Sequence, residues 1–320
     1  MAMRLLALTF LGAIASHPLS AQDYPNRVVR VIVPLAVGGG GDIFARALAE
    51  ELKNDLGQPF VVENRSGAAE NIGTRACAEA PPDGYTVCIV SQEPIVYNQL
   101  LFASIPFNPD KDLAPIVNLF INVAVVAINS SHKVKSLNEM IAYAKAHPGA
   151  LSYGTFSFPL EQLMAKLNRE NGIDIAKVPF RGGGELANAM LSNSAPVGAV
   201  GVSNVLPFIE AGQFTALAVN GDKRLDILPD VPTISELRNG EKFPPSWFGM
   251  FAPIGTPRPI TEKLAEASQV AMARPAFRDK MFKPRGIAPV DMKLDEFRKF
   301  IAEDRAIAER LVKESGFQPK

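Results

Sequence analysis

Residues 28–64 read VVRVIVPLAVGGGGDIFARALAEELKNDLGQPFVVEN. The opening VVRVIVP is too uniformly apolar for a strand with one wet face, so it predicts a strand in a sheet covered on both faces. Four glycines, Gly38 to Gly41, follow it, and Asp42 starts a helix in which Phe44, Leu48 and Leu52 recur every four residues until Gly57 stops it. PFVVEN is the next strand. Strand, glycine turn, helix and strand in that order predict parallel pairing through a crossover helix.

The same alternation continues towards the C-terminus. A helix over 71–80 and a Pro81-Pro82-Asp83-Gly84 turn lead into a third strand, YTVCIV. A second α/β series opens at VAVVAIN (123–129), and Ser136 and Glu139 have the spacing of a capping box for a helix that His147-Pro148-Gly149 ends. Strands are expected near 151–155, 176–179, 197–201 and 216–220, then a buried strand WFGMFAP at 247–253, and three amphipathic helical stretches close the chain at Gly316. No short-period repeat, heptad run or low-complexity tract is present. Two α/β series with a C-terminal return predict two lobes and a cleft, with ligand at the C-terminal ends of strands, where helix N-termini offer N–H donors.

The first residues, MAMRLLALTFLGAIASHPLSAQD, combine Arg4, an apolar run from Leu5 to Ala15 and small residues up to Ala21. This is the pattern of a secretory signal peptide cut after Ala21, and the run is far shorter than the roughly 20 residues of a membrane span. Removing residues 1–21 takes away one charge, Arg4, and leaves 32 Lys+Arg against 33 Asp+Glu. That near-neutral balance gives no electrostatic case for nucleic acid. Export would also place Cys77 and Cys88, eleven positions apart, in an oxidising compartment. They can form a disulfide clipping a helix to the following strand, or remain two buried thiols acting as small hydrophobes.

The glycine loop fits one site type and fails the tests of several others. Gly38, Gly39, Gly40 and Gly41 let backbone N–H groups approach a carboxylate or phosphate, and the alternative is a permissive strand-to-helix turn. Glu63 stands where the ribose acid of a dinucleotide site would, but the G-x-G-x-x-G test fails, with Ile43 or Phe44 in place of the last glycine. No Gly-Lys-Ser/Thr and no G-x-S-x-G occurs, and export leaves only His132 and His147, both at loops or helix ends. A catalytic triad, a zinc set and a resident cofactor therefore lack their residues, and the reading is not an enzyme.

The strings YPNRVVRVIVPLAVGGGGDIFAR, GQPFVVENRSGAAENIG, PPDGYT, VPFRGGG, LPDVPTISE and WFGMFAPIGTP, in this order along the chain, resemble the Bug (Bordetella uptake gene) family. These are the substrate-binding receptors of tripartite tricarboxylate transporters. The resemblance implies a monomeric periplasmic receptor of type II binding-protein fold, α/β, with two Rossmann-like lobes closing on a small, usually carboxylated solute. It also implies delivery to integral membrane permease subunits. By family pattern, residues 22–121 with 250–320 form lobe 1, and residues 122–249 form lobe 2.

Carried over by position, the family's carboxylate loop falls on Ala36 to Asp42, with Gly38, Gly39 and Gly40 in place but Val37 and Gly41 where Pro and Thr are usual. Asn71 and Ser91 are the further contacts expected from lobe 1, although Ala69, Glu70, Gln92 and Glu93 replace smaller residues beside them. In lobe 2 the resemblance points to Phe156, Ser157, Phe158 and Val200, where relatives are more polar. The expected ligand is thus a small organic acid with an aromatic or branched aliphatic body, captured for a transporter. The alternatives are a ligand-binding protein serving a membrane sensor, or an exported α/β enzyme.

Overall fold

Five apolar residues, VRVIV, form β1 (Val29–Val33), which lies between β2 (Phe60–Asn64) and β3 (Thr86–Ser91) and runs parallel to both. The computed structural model describes residues 24–319, apart from Arg181, Asp222 and Lys242. The expected signal peptide, residues 1–21, falls outside the described residues.

The chain builds two sheets. Beyond β3 come β4 (Leu113–Asn122), β5 (Ala124–Asn129), β6 (Ser152–Gly154), β7 (Ala176–Val178), β8 (Val197–Gly201), β9 (Phe214–Val219), β10 (Ser246–Pro253) and β11 (Ile287–Lys293). The first sheet has the order β11-β4-β10-β3-β1-β2 and the second β7-β6-β8-β5-β9. Only Val123 separates β4 of the first sheet from β5 of the second, and the chain returns between β9 and β10. The result is a mixed α/β protein of two lobes joined by these crossovers. Each lobe has its own core: Phe44 packs on Phe120 at 4.5 Å between ring centroids in the first, and Leu163, Met164 and Leu167 lie under the second sheet.

Helices of eight residues or more cover these sheets: α1 (Gly40–Leu56), α2 (Asn71–Ala78), α3 (Leu137–Ala146), α4 (Phe158–Asn171), α5 (Gly183–Leu191), α6 (Arg258–Ala273) and α7 (Leu294–Ser315). Gly57 closes α1 in the left-handed region, and Ser136 caps α3 by accepting the Glu139 N–H at 3.1 Å. No helix among the described residues is long and apolar enough to cross a membrane. Cys77 of α2 and Cys88 of β3 are bonded, with Cα atoms 6.0 Å apart and both side chains fully buried.

Three features depart from the sequence expectations. The first helix begins at Gly40 with Gly39 as its cap, two residues before Asp42. The strand β4 contains Pro115, which ordinarily argues against a central strand; it pairs with Phe251 at a shift in the β10–β4 register. The last strand, IAPVDMK, stands where helix was expected. As an edge strand, β11 tolerates Pro289, and its register on β4 shifts between Pro289 and Met292.

Candidate functional site

Where β1 ends, the chain cannot continue as strand through Pro34, and the loop that follows meets the second lobe across a cleft of about 980 Å³. Ala36, Gly39, Gly40 and Gly41 line this cleft from the first lobe. Gly39 supplies no side-chain cap, so the first-turn N–H groups of α1 keep their hydrogen-bonding capacity. Side chains have no room here: a Cβ on Gly41 would lie 2.6 Å from Leu35 and 2.8 Å from Phe248, and one on Gly40 would lie 3.1 Å from Ser203 Oγ of the second lobe.

Opposite this loop stands a second glycine-capped helix start. Gly182, in extended conformation, caps α5, again with no side-chain cap bond, and Gly182, Gly183 and Gly184 line the cleft. A Cβ on Gly183 would fall 2.0 Å from Asn204 Oδ1, and one on Gly182 would be 3.7 Å from Ala36 Cβ across the lobes. Two helix N-termini, one per lobe, therefore approach each other with bare backbone. Such termini carry orphan N–H donors and partial positive charge, which suit a carboxylate.

Three expected contacts take other places. Gly38 and Asp42 are absent from the cleft wall, because the buried Asp42 carboxylate accepts the Gly38 N–H at 2.9 Å. It also accepts from Asn64 Nδ2 at 2.9 Å and pairs with Arg46 at 3.0 Å. Burial pushes the Asp42 carboxyl up, but the Gly38 N–H, Arg46 and Asn64 outweigh it and hold the group below the usual range. Asp42 fixes the loop from behind. Asn71, also buried and off the wall, accepts from Asn98 Nδ2 at 2.8 Å, and that same amide donates to Ala69 O at 2.7 Å.

Ser91 lines the cleft, but its hydroxyl is already engaged, donating to Glu70 Oε1 at 2.6 Å. Glu70 follows Ala68 and Ala69, and all three have positive φ, at 71°, 46° and 50°. Non-glycine residues there carry roughly 1–2 kcal/mol of strain each. The turn keeps the backbone that glycine adopts readily while presenting a carboxylate. Beyond the end of β3, Glu93 lines the same floor and has its Oε1 buried without a partner.

In the second lobe, Phe156 is 41% exposed and lines the cleft with Ser157. Phe158 is only 5% exposed; it touches the cleft but packs mainly on Tyr97 and Phe317, at 5.9 and 5.4 Å between ring centroids. Val200 contributes to the wall from β8. Sequence reasoning missed Asn204, Arg285 and Phe248. Arg285 lines the cleft with no carboxylate partner among the described residues, and burial pushes its pKa down. No group of three or more His, Cys, Asp or Glu among the described residues could hold a metal ion.

Residues 44–317 match the family described as tripartite tricarboxylate transporter family receptor. BugT of Bordetella pertussis is 33% identical over 306 residues, covering 95% of this chain and 94% of BugT. An R. palustris protein solved with adipate superposes with a TM-score of 0.86 at 27% identity, covering 93% of this chain and 100% of that one. MatC from Rhodopseudomonas palustris, solved with bound malate, gives a TM-score of 0.81 at 28% identity, covering 90% of this chain and 100% of MatC.

Proposed function

This chain belongs to the tripartite tricarboxylate transporter receptor family and is a solute-binding receptor rather than an enzyme, and from that premise we propose that it captures a small carboxylic acid with an aromatic or branched aliphatic body. The observation that carries the reading is the convergence of two glycine-capped helix starts, Gly39–Gly41 and Gly182–Gly184, on one cleft. Charge-assisted bonds from such N–H groups to an anionic head are favourable. Adipate in one similar structure and malate in another support the carboxylate class.

The body of the ligand lies on apolar surface. Phe156, Phe248 and Val200 line the cleft and bury a hydrocarbon or ring without asking for further polar partners. Family membership and the exported-type N-terminus support a periplasmic receptor, cleaved after Ala21, that hands its solute to integral permease subunits. Calorimetric titration of benzoate and 3-methylbutanoate, with adipate and malate alongside, tests the ligand reading. Binding of one of the monocarboxylates is expected, with small-angle scattering showing compaction as the lobes close. Failure of every carboxylate, preference for adipate or malate over both monocarboxylates, or binding with no change in scattering overturns it.

A further inference from the structure

The acidic end of the cleft has no counterpart in a receptor built for anions alone. Among its charged lining residues, Glu161 and Lys177 pair with each other, and Arg285 is a cation without an acid. Glu70 and Glu93 have no cationic partner among the described residues. Glu70 is fixed on both oxygens by Ser91, through its hydroxyl at 2.6 Å and its N–H at 3.3 Å. Glu93 N–H donates to that same Ser91 hydroxyl at 3.2 Å, so the two acids share one support. Oε1 of Glu93 is buried and unpaired.

We propose that Glu70 and Glu93 receive an ammonium group of the ligand, so that the solute is an amino-substituted carboxylic acid whose carboxylate lies at the glycine loops and whose amine lies between these two acids. The inference rests on the carboxylate reading above and adds the second functional group. A second carboxylate at this end meets two acidic side chains, whereas an ammonium is attracted to both. Phe156 adds an aromatic ring to the cleft wall from the second lobe, a surface that tolerates a cation.

The charge states agree. Burial raises Glu70 to about 7 against the opposing Ser91 bonds. Burial first, then Glu70, Asp304 and Glu161, raise Glu93 to about 8 against the Phe158 N–H. Asp304 itself accepts from Gln92 at 2.6 Å and Trp247 at 2.8 Å. An incoming ammonium favours the ionised pair, so its binding must release protons near neutrality and strengthen as pH rises towards about 8.

Matched probes separate this inference from the reading beneath it. Ligand-free protein is titrated calorimetrically with 5-aminopentanoate, hexanoate and adipate, and with 4-(aminomethyl)benzoate, 4-ethylbenzoate and 4-(carboxymethyl)benzoate. In at least one set the ammonium member is expected to bind about tenfold or more tighter than both counterparts at alkaline pH, with the margin shrinking towards acidic pH. Glu93→Gln is expected to bring that ratio close to one in a protein that still melts cooperatively. Binding of an ammonium-free member as tight as or tighter than the ammonium member in both sets overturns the amine assignment and leaves the carboxylate reading standing. A preference unchanged in Glu93→Gln also overturns it. No binding by any of the six overturns both.

Discussion

Ser91 Oγ donates to Glu70 Oε1 at 2.6 Å, joining the end of β3 to the N-cap of α2 on the floor of the cleft. The bond fixes a carboxylate where backbone strain and burial both work against one. One consequence for the ligand-free protein lies in pH, and a separate consequence of the cleft's geometry lies in binding.

The pH consequence has a definite sign. Glu70 and Glu93 titrate at about 7 and about 8 in the folded protein, above the ordinary 4.5. The native state then binds more protons than the unfolded chain, so stability is greatest below that ordinary value and falls as pH rises towards about 8. Differential scanning calorimetry of ligand-free protein should show Tm declining across this range, by about 2–4 °C for each kcal/mol lost. Glu70→Gln and Glu93→Gln should each flatten the slope. A Tm that rises with pH over the same window contradicts the assignment.

The geometric consequence concerns Gly40. Its φ is not left-handed, so alanine fits the backbone, yet a Cβ would lie 3.1 Å from Ser203 Oγ in the opposite lobe. Gly40→Ala should weaken ligand binding by about tenfold while changing Tm little, because the clash lies between the lobes and in neither core. Ser203→Ala in the same protein should restore part of the loss. Equal affinity of Gly40→Ala and the parent, measured calorimetrically, shows that the loop does not meet the second lobe on binding.

The Cys77–Cys88 bridge spans eleven positions and is fully buried. Thiol titration after unfolding without reductant should find no free thiol. Replacing both cysteines by alanine should cost on the order of 2–3 kcal/mol, since closing a short loop restricts the unfolded chain only modestly. Two titrated thiols would contradict the bridge.

Much of this architecture was legible because the apolar pattern was unambiguous. VVRVIVP could only be a doubly covered strand, and Ser136 with Glu139 marked a helix start that the structure places at Leu137. Pro115 and Pro289 hid β4 and β11, since proline inside a strand is read as a break unless a register shift or a free edge is known. In the site, the first glycine loop was legible because backbone approach needs glycine, whereas Gly182–Gly184 stood only inside the string VPFRGGG and was not read as part of a site. Asp42, Asn71 and Ser91 were harder: their side chains turn to Gly38, Asn98 and Glu70, and the position of a polar residue does not say which partner it satisfies. Arg285 gave no signal, because only the fold brings it to the cleft.

The central claim is that the cleft holds a small carboxylic acid. Protein exported by a native host, purified without added ligand and denatured for mass spectrometry of the released solute, tests it most directly. The account expects a stoichiometric small molecule bearing a carboxyl group, with an amine as its second function. A released solute with no acidic group, such as a neutral sugar, would contradict it.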